Sequence, residues 1–177
     1  MRRVNSLRES NLLALQAAWL LTLLTAALGW PVLAGEREIF AAPAQAKPDL
    51  AAGLKTAAAG HKRVIIDFGG NWCGDCQVLD RYFHDATNRP ILDANYVLVH
   101  VNIGQMDQNL DIAAQYHVPV SKGVPALAVL DEDGELLYSQ RSGEFEAMRR
   151  MSASSVTDFL NEWKPSMGVR DAGSAPK

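Results

Sequence analysis

Apolar residues fall into short blocks with two distinct spacings along the middle of the chain. Val64, Ile65 and Ile66 run without interruption inside Arg63 to Phe68, which predicts a strand covered on both faces. Upstream, Leu50, Leu54 and Ala58 repeat at helical spacing behind a capping Asp49, and Gly60 marks the stop. Downstream, Val78, Leu79, Tyr82 and Phe83 predict a helix opening at Cys73. Asn88 and Pro90 break it, and a short helical segment follows around Ile91 to Asn95. Tyr96 to Ile103 sets Val97, Val99 and Val101 against Leu98 and His100 and predicts a second strand, and Asn109 to Tyr116 returns to helical spacing.

Val118 to Val124 reads as a loop holding Pro119, Lys122 and Gly123. Pro125 opens a strand over Ala126 to Leu130, Asp131 to Gly134 form a polar turn, and Glu135 to Gln140 return as the antiparallel partner. Arg141 to Met151 is a polar insert without periodicity. Ser152 or Ser154 then caps a last helix carrying Val156, Phe159, Leu160 and Trp163. Strands joined by a long helical crossover lie parallel, so the order predicts an α/β domain with a central mixed sheet and helices on both faces.

The two ends read differently. Arg2, Arg3 and Arg8 precede an uncharged stretch, Ser10 to Gly35, whose centre is rich in Leu and Ala. This is the pattern of a secretory signal, with Val32-Leu33-Ala34 before a cut at Gly35. The same stretch is long enough for an uncleaved membrane anchor, which needs about 20 residues. The expected organisation is thus a signal or anchor over 1–34, an Ala- and Pro-rich linker over 35–46, a domain over 47–165 and a small, polar, disordered tail over 166–177. Without residues 1–34 the chain keeps 14 basic and 19 acidic residues, a formal charge of −5. That mild acidity, with no basic stripe, argues against a nucleic-acid partner.

Cys73 and Cys76 are the only two cysteines of the 177 residues. At the start of a helix, a spacing of three puts both sulfurs on one face within bonding reach. The unpaired N–H groups of the first turn favour a thiolate at Cys73, making it the attacking sulfur and Cys76 the resolving one. A loop this short adds little as a staple, so the pair is chemical rather than structural. A closed zinc site wants four ligands, and no second C-x-x-C exists.

Val64 to Arg81, VIIDFGGNWCGDCQVLDR, resembles the thioredoxin superfamily. Beyond the cysteines, the resemblance rests on Asp67 six residues before Cys73, Trp72 directly before the pair, and Gly123-Val124-Pro125 downstream. It covers roughly Lys47 to Trp163. It implies the thioredoxin fold and an exported thiol–disulfide oxidoreductase, working in the periplasm on protein thiols and disulfides. In such a protein Asp67 helps deprotonate Cys76, and Pro125 follows a cis bond that presents Val124 to a substrate strand. Trp72, Gly74 and Asp75 flank the substrate. The resemblance implies no metal or organic cofactor, a membrane electron donor that resets the cysteines, and a monomer.

Individual residues carry competing readings. Trp72 is either a core aromatic or a groove wall. Gly69-Gly70 leaves room for a partner or makes a tight bend. Asp75 departs from the proline or histidine common between such cysteines. A carboxylate there opposes thiolate formation, which points to reduction or isomerisation rather than disulfide donation. His61, His84, His100 and His117 are scattered. His84, two helical turns past Cys76, is the one feature for the alternative, a periplasmic copper metallochaperone of the same fold. Asp131 to Gly134 suits a hairpin turn rather than a calcium loop, and Arg149-Arg150 reads as a solvated face.

Overall fold

The computed structural model describes residues 37–166, so the expectations for 1–34 and for the tail beyond 166 lie outside the described residues. A 3-10 turn, Pro43–Gln45, leads into helix α1, Ala46–Gly60. Strand β1 is Arg63–Gly69, helix α2 Gly74–Phe83, helix α3 Arg89–Asn95 and strand β2 Tyr96–Asn102. Helix α4, Leu110–Gln115, precedes β3, Ala126–Leu130, and β4, Leu136–Ser139, and α5, Ala153–Trp163, closes the domain.

The sheet order is β2-β1-β3-β4. Strand β1 runs parallel to β2, with Asp67 opposite His100, and antiparallel to β3, which pairs antiparallel with β4. The continuous apolar run of β1 has the cause expected of it, because both faces are covered, and the same holds for β3. Val64, Ile66 and Phe68 point into a core with Leu50 and Ala57 of α1 and Ile112 of α4. Ile65, Leu127 and Val129 point the other way, onto Leu79 and Phe83 of α2 and Val156, Phe159 and Leu160 of α5. This is the expected mixed sheet with helices on both faces, in the thioredoxin arrangement.

Four local expectations need correcting. Helix α1 starts at Ala46 rather than at Asp49, because the Pro43 turn feeds it and Pro48 falls in the first turn, where a missing N–H is harmless. It stops on His61 in the left-handed region (φ 51°) rather than on Gly60. At α5, Ser152 is the N-cap residue but makes no side-chain capping bond. Its hydroxyl meets Ser154 Oγ at 2.6 Å instead.

The fourth concerns residues 35–46, read as a linker. Phe40 within it is 1% exposed and forms a small apolar cluster with Cys73 and Cys76. Asn71 fixes it, its Oδ1 accepting the Ile39 and Phe40 N–H groups at 3.0 and 2.9 Å while its Nδ2 donates to the Phe40 carbonyl. The polar insert is anchored in the same way. Phe145 and Met148 sink into the α2–α5 core, and a 3-10 turn, Met148–Arg150, lies against α2.

Candidate functional site

Strand β1 delivers the chain through Gly69-Gly70 into α2, and the cysteines sit at that junction. Cys73 is the N-cap residue, in extended geometry, and its Sγ accepts the Cys76 backbone N–H at 3.1 Å. An N-cap side chain normally satisfies one of the orphan N–H groups of the first turn, and here a sulfur takes that place. The two cysteines form a disulfide with Cα atoms 5.2 Å apart. Cys76 has no exposed surface while Cys73 keeps 6%, so an incoming thiol meets Cys73 first. Opposite them the Val124–Pro125 peptide is cis, and Val124 O lies 3.6 Å from Cys73 Sγ.

Of the two purposes read for the glycine pair, the structure shows the tight bend, the Cys73 N–H donating to the Gly70 carbonyl at 3.0 Å across Asn71 and Trp72, and it adds a packing reason. A Cβ on Gly69 would stand 2.7 Å from Cys76 Sγ and 2.8 Å from Phe40 Cζ, and one on Gly70 would stand 2.5 Å from Trp72 Nε1. Their bareness lets the buried sulfur, Phe40 and the indole pack against β1. Trp72 is 43% exposed, and its Nε1–H donates to the Gly104 carbonyl at 2.6 Å, so the ring forms one wall beside the cysteines. Gly74 is exposed at the first turn, with Arg149 next to it.

Asp75 is not a free, solvated carboxylate. Arg149 donates its backbone N–H to Oδ1 and its guanidinium to Oδ2. Partial burial would push the carboxyl up, but these bonds hold it below the usual range. A negative charge matched by a guanidinium exerts little net field on Cys73, so the argument from Asp75 to a weaker oxidant loses its footing. Arg149 is correspondingly not a mere solvated face.

Behind the disulfide lies a group of ionisable side chains of which the sequence revealed one. Asp67 and Gly69 alternate onto the same face of β1, the face that meets Cys76. Asp67 is fully buried, and Oδ2 is hydrogen-bonded with His100 Nδ1 at 3.0 Å. Among the described residues Oδ1 has no hydrogen-bond partner. Burial raises the Asp67 carboxyl above the usual carboxylate range against the pull of His100. Burial would lower His100, but Asp67 and Asp80 overcome it, and the imidazole is raised. Asp80, one turn after Cys76 on the same helix face, is 2% exposed, with Oδ1 3.8 Å from His100 Nε2. His84, a turn further, is held at Asp80, with Nδ1 2.8 Å from its carbonyl and 3.2 Å from Oδ1. The Cys76, Asp80, His84 spacing of four was the available signal for this group. Among the described residues no group of three or more His, Cys, Asp or Glu could hold a metal ion.

A strand–helix junction holding a disulfide-forming cysteine pair against a buried acid, in this fold, defines a thiol–disulfide oxidoreductase. The family model described as thioredoxin-like matches residues 44–132, and the chain belongs to that family. Thioredoxin of Mus musculus is 30% identical over 104 residues, covering 58% of this chain and 85% of that one. Thioredoxin of Bos taurus is 33% identical over 102 residues, covering 58% and 83%. Among solved structures, a disulphide isomerase from Xylella fastidiosa Temecula1 aligns with a TM-score of 0.68 at 28% identity, over 71% of this chain and 96% of that chain.

Proposed function

We propose that the protein is an exported oxidoreductase that reduces or isomerises protein disulfides through Cys73 and Cys76. The observation that carries this reading is the Cys76 N–H donated to Cys73 Sγ at 3.1 Å, a bond that favours the thiolate of the more accessible sulfur. Cys73 attacks a substrate disulfide, one substrate sulfur leaves as thiolate, and a mixed disulfide remains. Cys76, losing its proton to Asp67, attacks Cys73 Sγ and releases the second substrate thiol. The Val124 backbone pairs with the extended substrate beside Pro125, while Trp72, Gly74 and Asp75 border the groove.

The chemistry runs on the two sulfurs and needs no metal or organic cofactor. A membrane electron donor returns the pair to the dithiol, and the enzyme works as a monomer. Residues 1–34 direct export to the periplasm, either cleaved after Ala34 or kept as an anchor. Among the described residues no helix is long and apolar enough to cross a membrane. The isomerase-like direction has support from the Xylella protein, which carries that description.

The test is the reduction potential of the pair, read by counting free thiols after equilibration of the full chain in glutathione or dithiothreitol buffers. A value near about −270 mV is expected of a reductase fed by a donor, and one near about −120 mV makes the protein an oxidant and overturns the direction. Amino-terminal sequencing of the exported protein tests the cut at Gly35.

A further inference from the structure

Resolution by Cys76 releases a proton into a place that water does not reach, since both Cys76 and Asp67 have zero exposure. On the reading above Asp67 takes that proton, and it must shed it again before the next cycle. Its one partnered oxygen faces a histidine and not solvent.

The groups around that histidine form a line. His100 projects from β2 toward Asp67 on β1 through Nδ1 (3.0 Å) and toward Asp80 on α2 through Nε2 (3.8 Å, a small ring rotation beyond hydrogen-bond length). Asp80 Oδ1 lies 3.2 Å from His84 Nδ1, whose side chain is 37% exposed. Asp80 Oδ2 lies 3.2 Å from Arg37 Nη1 on the segment before α1, yet in an orientation that makes no hydrogen bond. Phe40 meets the His100 ring edge-on at 5.0 Å and shuts it off from the sulfurs. On its α1 side the ring borders a shallow hollow lined also by Asp49 and Thr56. Two buried carboxylates thus carry open acceptor positions with one two-nitrogen ring between them, an arrangement whose burial penalty a purely structural role does not explain.

We propose that His100 is a proton relay that empties Asp67 into Asp80, from which the proton leaves at the surface beside His84 and Arg37. The proposal rests on the dithiol reading above. The steps balance as follows. The Cys76 S–H proton passes to Asp67. The Cys76 thiolate then forms the Cys73–Cys76 bond as the Cys73–substrate bond breaks, and the substrate sulfur leaves with the electron pair. As Asp67 takes the Cys76 proton it passes one on to His100 Nδ1, His100 Nε2–H gives its proton to Asp80 and Asp80 passes one to water, so a blocked relay slows the release itself. A ring flip then returns His100 to the tautomer that accepts from Asp67. Neither His100 nor Asp80 touches the substrate, so both act through Asp67.

The test follows the resolving step alone. The full-length protein is charged at Cys73 with the coloured thiol thionitrobenzoate as a mixed disulfide, and release of that thiol by Cys76 is timed against pH. His100→Gln and Asp80→Asn should each lower the plateau rate about tenfold or more, since proton transfer by a placed side chain is worth at least that much. The double variant should be no slower than either single one, because both block one path.

A role limited to tuning the charge on Asp67 predicts something else. Loss of His100 and loss of Asp80 would then shift the pH midpoint in opposite directions and leave the plateau intact, and that result overturns the relay. Slow release in His100→Gln with wild-type release in Asp80→Asn overturns the route through Asp80. The dithiol reading fails separately, if Cys76→Ser releases the coloured thiol as fast as the wild type.

Discussion

Arg149 reaches back from the insert to the first turn of α2 and grips Asp75 with three donors. Its backbone N–H lies 2.8 Å from Oδ1, and Nε and Nη2 lie 3.1 and 3.0 Å from Oδ2. The segment that the sequence left featureless therefore sits beside the cysteines and cancels the one charge placed between them. Phe145 and Met148, buried in the core, are what hold it there.

Removing the guanidinium exposes the bare Asp75 carboxylate to Cys73. Exposed ion pairs of this kind contribute about 0.2–1 kcal/mol, so Arg149→Ala should slow alkylation of reduced Cys73 at pH 7 roughly two- to fivefold. Asp75→Asn on top of Arg149→Ala should restore the rate. Timed iodoacetamide labelling of the reduced protein reads both; a double variant as slow as the single one would show that the clamp acts by shape and not by charge.

The buried acid makes a pH-dependent statement about stability. Asp67 has a folded pKa raised above its unfolded value, so ionisation weakens the fold, beginning near the unfolded pKa of 3.8 and reaching full effect above the raised value. Asp67→Asn removes that penalty. Its expected signature is a gain in stability at pH 8 that fades as pH falls toward the unfolded value of 3.8, measured by urea unfolding across pH. The His100 contribution has the opposite sign. Its raised pKa supplies stability at low pH that is lost as pH rises through the folded value. Asp67→Asn should therefore also flatten the alkaline decline, because the imidazolium loses its anionic partner.

Gly69 is a position where one methyl group is too much. With Cys76 Sγ at 2.7 Å and Phe40 Cζ at 2.8 Å from the place of a Cβ, Gly69→Ala overpacks the cysteine cluster, at roughly 1–3 kcal/mol. Thermal melts should show the loss in the oxidised protein. Gly60→Ala, at a helical position whose nearest would-be contact is the flexible Lys62 side chain at 3.5 Å, should melt no lower than the wild type.

What the sequence made legible has a common physical origin. The strands and main helices were readable because β1, β3, α2 and α5 each bury a contiguous apolar pattern, and pattern is local. Cys73 and Cys76 were readable because both partners lie within one turn. His100 was not, since its partner Asp67 is reached only through the β1–β2 register, 33 residues away. Nor was the pairing of Arg149 with Asp75 across 74 residues, which exists because two hydrophobic residues amid charges anchor the insert. Local periodicity carries no information about such pairs of polar groups.

Phe40 shows the same limit from the apolar side. It stands alone in an Ala- and Pro-rich stretch, so no repeat marks it, yet it closes the back of the disulfide and touches the ring edge of His100. Phe40→Ala opens a cavity there, and Phe→Ala changes at fully buried sites cost about 3–5 kcal/mol. Because Asn71 ties the flanking backbone down, the segment should stay docked and the cavity should persist rather than collapse. Water entering that cavity would reach Cys76, so the reduced variant should also lose protection of the Cys76 thiol from alkylation at native pH. Urea unfolding together with mass-resolved labelling of Cys76 reads both effects. A Phe40→Ala protein as stable and as well protected as the wild type would return residues 37–46 to the status of a linker.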